Sequence, residues 1–312
     1  MTTIEDTLDG DDYDEFGLLH ENASEWGLSG PLPKVRREVV EVAPGQLVSA
    51  IVWGDGPPQI VLLHGGGQNA HTWDTLALVL GRPAVAIDLP GHGRSSRRAD
   101  RNYGPWWNTE ALEVALPMLA PDADVVVGMS LGGATLIRLA AVRPDLAPAA
   151  VIVDVTPQVN DPTRAFTTEE RGSVALIGGP PTYPSFAAMA DATVALSPHR
   201  AAAAVRRGVR HNSVRLDDGT WRWRYDLFGA RDASAGNWSD FVPLWSDVNH
   251  ITVPTMLVRG GASKFVTDAD SAEMRRRLPS VRIESVAGAG HAVQSDRPLE
   301  LASLIEAHAF AT

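Results

Sequence analysis

The 312-residue chain contains no cysteine, which excludes disulfides, thiolate metal sites and a cysteine nucleophile. No run approaches the roughly 18–20 uncharged apolar residues of a membrane span. The start of the chain, Met1–Phe16, lacks the basic end and apolar stretch of a secretory signal. A cytoplasmic protein that engages no membrane is therefore expected. Positive charge is missing from residues 1–33, which hold Glu5, Asp6, Asp9, Asp11, Asp12, Asp14, Glu15, Glu21 and Glu25 but no Lys or Arg. The net charge of −11 sits mostly there: that segment takes nine of the 38 acids and none of the 27 bases. The acidic balance argues against nucleic acid as a partner. Residues 1–33 are expected to form a partly ordered acidic arm, either a solvated, solubilising tail or a segment packed on the Arg-rich cap of its own or a neighbouring subunit.

Beyond Arg36 the pattern turns regular. Arg37–Ala43 and Leu47–Trp53 alternate around Pro44-Gly45 and predict a hairpin. Short apolar runs follow at Gln59–Leu63, Ala84–Asp88, Asp124–Gly128, Ala150–Asp154, Thr255–Arg259 and Val281–Val286. Such runs suit strands buried on both faces of a parallel sheet. Helical spacing separates them at Trp106–Leu119, Gly133–Val142, Asp268–Leu278 and Pro298–Ala309. The alternation predicts an α/β fold with a mostly parallel sheet flanked by helices. Residues 34–155 and 250–312 form its core. Residues 156–249 interrupt it with helical patches, prolines and Trp221, Trp223, Trp238 and Trp245, and are read as an inserted cap.

The strongest chemical signal is Asp124-Val-Val-Val-Gly128-Met-Ser130-Leu131-Gly132-Gly133. A serine at the apex of a sharp strand-to-helix turn exposes its hydroxyl, and the residues two places away must be small where strand and helix nearly touch. The new helix also directs N–H groups at a developing oxyanion. Ser130 is the candidate nucleophile. An oxyanion needs two converging backbone donors. Leu131 can supply one, and Gly66 of His64-Gly65-Gly66-Gly67 the other. The same stretch fits a weak dinucleotide pattern (Gly65-x-Gly67-x-x-Ala70, with Asp88 ending the next strand), but that leaves Ser130, His64 and the C-terminal histidine unexplained. His64 is expected to be a structural hydrogen-bonder. Asp88-Leu-Pro90-Gly91-His92-Gly93-Arg94-Ser95-Ser96 reads as a tight turn shaping the pocket floor. Asp88, His92 and His64 have no short metal-ligand spacing, so no metal is expected.

A second signal, Gly288-Ala-Gly290-His291, ends the last predicted strand in a glycine-rich loop that delivers a histidine. His291 is the candidate base, following Ser130 in the order Ser…Asp…His. Together these motifs resemble the α/β-hydrolase family from about Arg36 to the C-terminus, and the resemblance implies that fold. It also exposes a departure. The family's acid commonly follows the penultimate strand as Gly-x-x-Asp, whereas here Gly260-Gly261-Ala262-Ser263 puts serine in that place. Some esterase-like members take the acid from the strand after the nucleophile, which implies Asp154; Asp268 and Asp270 remain alternatives.

Serine chemistry suits acyl transfer. The expected activity is cleavage of a carboxylic ester or lactone, bulky and largely apolar, through an acyl-enzyme, with no cofactor and a small molecule as partner. A carbon–carbon (retro-Claisen) hydrolase, a perhydrolase and a ligand-binding receptor with weak turnover stay open, as does a homo-oligomer. In the cap, Arg200, Arg206, Arg207, Arg210 and Arg215 read as a solvated face paired to cap acids, or else as a seat for an anionic substrate group.

Overall fold

Alternating β-branched residues on either side of Pro44-Gly45 form an antiparallel hairpin of β1 (Val35–Ala43) and β2 (Gln46–Trp53). Gly45 takes the left-handed backbone (φ 70°) that the turn requires. β1 is an edge strand whose residues are exposed at nearly alternate positions, as a charged edge should be. The next strands are β3 (Ile60–Leu63), β4 (Ala84–Asp88), β5 (Val125–Met129) and β6 (Ala150–Val153), in which every residue is buried. Later come the short hairpin β7 (Ser213–Arg215) and β8 (Trp221–Trp223), then β9 (Thr255–Gly260) and β10 (Arg282–Val286). The computed structural model describes residues 13–160, 167, 179–226 and 240–311.

One eight-stranded sheet runs β1-β2-β4-β3-β5-β6-β9-β10, antiparallel across β1, β2 and β4 and parallel from β4 to β10. Leu112, Leu116, Leu136, Leu139, Leu244 and Met274 cover one face; Leu19, Leu76, Leu80, Leu301 and Ile305 cover the other. Each such buried side chain contributes roughly 1.5–3 kcal/mol of transfer free energy. This order is what gathers the site. β3 lies between β4 and β5, so the loop after β3 meets the end of β5. β6 and β9 follow directly, so the ends of β5, β6 and β9 stand side by side.

Two boundaries differ from the sequence reading in ways that matter. The strand expected at Asp124–Gly128 runs through Met129, and the following helix begins at Leu131 rather than Gly133, leaving Ser130 alone between them. A Cβ on Gly132 would lie 2.2 Å from the Leu63 carbonyl oxygen, and one on Gly128 would lie 2.4 Å from the Gly132 carbonyl oxygen. Both glycines are therefore needed for close approach.

Of the two readings of the acidic arm, the structure follows packing on the cap rather than a solvated tail. From Tyr13 onward it lies against the body. Leu19 and Ala23 of the Leu19–Glu25 helix are buried, and Asn22 accepts a hydrogen bond from Thr75. Glu25 pairs with Arg207 at 2.6 Å, joined by Glu21. Glu5, Asp6, Asp9, Asp11 and Asp12 lie outside the described residues, as does Trp238. The described part of residues 156–249 contains the helices Phe186–Ala195 and Ala202–His211, which share a small core with Tyr183 and Trp221, and the β7–β8 hairpin. The Leu244–Val248 helix instead joins the main core.

Candidate active site

Ser130 sits at φ 52°, ψ −114°, a backbone that non-glycine residues rarely adopt and that commonly marks a functional turn. Its amide donates to the Val153 carbonyl at 3.1 Å, tying the turn to β6. Leu131 opens the helix, so its N–H is among those without an intrahelical partner. A Cβ placed on Gly66 would come 4.0 Å from the Leu131 Cβ, so the two candidate oxyanion donors come from neighbouring backbones.

Asp154 closes β6 fully buried and at φ 50°. Its Oδ1 accepts the Gly260 amide at 2.9 Å. Its Oδ2 accepts His291 Nδ1–H at 2.8 Å, which leaves Nε2 as the nitrogen available to a hydroxyl. The loop approach that permits this is tight: a Cβ on Gly260 would lie 2.1 Å from the Gly290 carbonyl oxygen. The two alternative acids are engaged elsewhere. Asp268 is exposed and pairs with Arg259 at 2.8 Å, and Asp270 closes a capping box with Thr267. Among the described residues Ser130 Oγ and His291 share no hydrogen bond. Such a bond often tightens only when substrate arrives.

His64 is buried; its Nδ1–H donates to the Gly65 carbonyl and its Nε2 accepts the Leu89 amide at 2.9 Å. Burial holds its pKa down to about 4, so it is a neutral brace. His92 is likewise neutral: burial and then the neighbouring His64 bring it to about 3, and its Nε2 accepts the Gly67 amide at 3.2 Å. Asp88 is bonded by Arg37, the Ala70 amide and the Arg94 amide. The residues that offered a metal site on type alone are thus engaged in bracing loops.

Other contacts were not legible in the sequence. Asn212, at the end of a helix in the insertion, donates to the Gly67 carbonyl at 2.6 Å and accepts from Asn69 at 3.2 Å. His71, Asp74 and His211 bring ligand atoms within 4.8 Å of one another. However, the two imidazoles stack 4.0 Å apart at 11°, so an ion cannot lie in both ring planes. Instead His71 bonds Asp74 and Glu15, and Tyr13 donates to His211 Nδ1. Burial opposes the charge on His71, but Asp74 and Glu15 outweigh it and raise the pKa to about 9. Glu15 is likewise pushed up by burial, but bonds from His71 and Arg37 hold it at about 2.

A cavity of about 620 Å³ starts at Gly66, Gly67 and Gln68 and runs under the insertion past Trp223 and Tyr225. Ser130 and His291 stand outside its lining. Its walls are mixed: Val205 and Val209 beside Asn212 and Thr72. The cap arginines are largely paired, Arg200 to Asp296, Arg206 to Asp191 and Arg207 to Glu25, which leaves little for an anionic substrate group.

The family model described as the alpha/beta hydrolase family matches residues 60–304. The chain belongs to this family. As a hydrolase of that family it is 51% identical over 302 residues to the esterase Rv0045c of Mycobacterium tuberculosis, covering 96% of this chain and 97% of that protein. A solved structure of that esterase superposes with a TM-score of 0.81 at 50% identity, covering 95% of this chain and 98% of the other. The sn-1-specific diacylglycerol lipase ABHD11 of Mus musculus is 29% identical over 270 residues, 84% of each chain. Among the described residues no helix of this family member is long and apolar enough to cross a membrane.

Proposed function

We propose that this protein is a serine esterase that cleaves a carboxylic ester or lactone through an acyl-enzyme. The single observation that carries the reading is the buried Asp154 carboxylate bonded to His291 Nδ1 beside a strained Ser130. The 51% identity to an esterase supports it. His291 Nε2 takes the Ser130 proton as the hydroxyl attacks the carbonyl carbon. The amides of Leu131 and Gly66 hold the oxyanion, and Asp154 stabilises the imidazolium. His291 then protonates the leaving alcohol, and water activated by the same nitrogen releases the acid.

A hydrolysis screen over esters, lactones, thioesters and activated carbon–carbon substrates, run with wild type and Ser130→Ala, tests the proposal. Ester or lactone turnover that disappears in Ser130→Ala together with fluorophosphonate labelling is expected. Labelling that survives the substitution overturns the nucleophile. Turnover confined to carbon–carbon substrates or peroxide overturns the reaction class, and a stoichiometric burst without turnover favours a receptor.

A further inference from the structure

The loop after β9 carries a hydroxyl wired into both partners of the base. Ser263 Oγ donates to Asp154 Oδ2 at 2.5 Å, the same oxygen that accepts His291 Nδ1–H. The hydroxyl oxygen in turn accepts the Phe265 amide at 3.1 Å. The Phe265 ring lies flat against the His291 imidazole, centroids 3.8 Å apart at 14°. One side chain therefore touches the carboxylate that aims the imidazole and the segment that supports the imidazole from its face.

We propose, resting on the triad reading above, that Ser263 is a positioning residue for the reaction: it holds the triad carboxylate in the plane that meets His291. A carboxylate held only by His291 could pivot about its side-chain torsions. Gly260 on one oxygen and Ser263 on the other fix its plane. Ser263 also shares the Oδ2 lone pairs with His291. Without that donor the full negative potential of Oδ2 falls on the imidazole, which then holds its proton more tightly and becomes a working base only at higher pH. The loss of alignment slows the chemical step, while substrate binding, which Ser263 does not touch, stays as it was.

The test uses the full-length enzyme and a p-nitrophenyl ester. Ser263→Ala is expected to lower kcat by about tenfold, the scale of one lost hydrogen bond to a charged group. KM should stay nearly unchanged and the acidic limb of the kcat/KM profile should move to higher pH. Ser263→Thr should restore both. An unmoved pH profile with unchanged kcat in Ser263→Ala overturns the positioning role and leaves the triad standing. Full activity in Asp154→Gly overturns the triad reading instead.

Discussion

At the proposed acid end of the site, Asp154 takes its bonds from Gly260, Ser263 and His291, which lie at or beyond the ends of the adjacent strands β9 and β10. At the oxyanion end, the Gly65–Asn69 loop is braced differently. His64 and His92 hold it from beneath, and Asn212 holds it from an insertion 145 residues away. The acid end is built largely by the sheet, since Asp154 follows β6, Gly260 ends β9 and His291 follows β10. The oxyanion end depends on the insertion staying seated, and the insertion in turn depends on the arm. The two halves of the proposed reaction centre thus rest on supports of unequal stiffness.

The comparison can be broken at its stiff end first. Asp154→Asn should lower kcat by about three to four orders of magnitude, as loss of an imidazole-orienting carboxylate does elsewhere, with KM little changed; steady-state kinetics read this directly. Gly132→Ala comes next. Its methyl would strike the Leu63 carbonyl oxygen, and overpacking of that kind costs about 1–3 kcal/mol or more. A lowered Tm should accompany loss of turnover. At the soft end, Asn212→Ala should cost only about five- to tenfold in kcat, the worth of one or two hydrogen bonds, with Tm nearly unmoved. An effect as large as that of Asp154→Asn would erase the distinction.

The smallest expected effect is on pH. Glu15 sits below its ordinary range, at about 2, so its contribution to docking the arm is whole above about 4.5 and is lost as pH falls toward 2. His71 is raised to about 9, so its contribution is whole below about 6.5 and is lost as pH rises through 9. The arm should therefore resist limited proteolysis best between those limits and loosen toward pH 9 and above. His71→Gln should remove the alkaline dependence.

What the sequence disclosed follows the same division. Ser130, His291 and the glycines beside them announce themselves because a strained turn and a close approach restrict residue type locally. The carboxylate is harder to place, since strand-end aspartates are common; Asp154 becomes the candidate, with Asp268 and Asp270 as alternatives, because Ser263 stands where the family's acid is otherwise expected. Asn212, His211 and Glu15 were illegible because an asparagine at a helix end, a buried histidine and an acid in an acidic run acquire meaning only from partners far along the chain. The choice between a solvated arm and one packed on the cap stays open in the sequence for the same reason. Charge counting sees Glu15, Glu21 and Glu25 as solvated, whereas Arg37 and Arg207 neutralise them.

The docking of the arm also sets an order of events during synthesis. Tyr13 finds its partner at His211, 198 residues later, and Glu25 finds Arg207, 182 residues later. Contacts of such separation form only after most of the chain exists. The β1–β2 hairpin, with residues a few positions apart, closes at once. The arm therefore cannot dock until residue 211 has been made, long after the hairpin can close. Until then its unpaired negative charge repels like chains, and its docking is the step that completes the brace on the oxyanion loop.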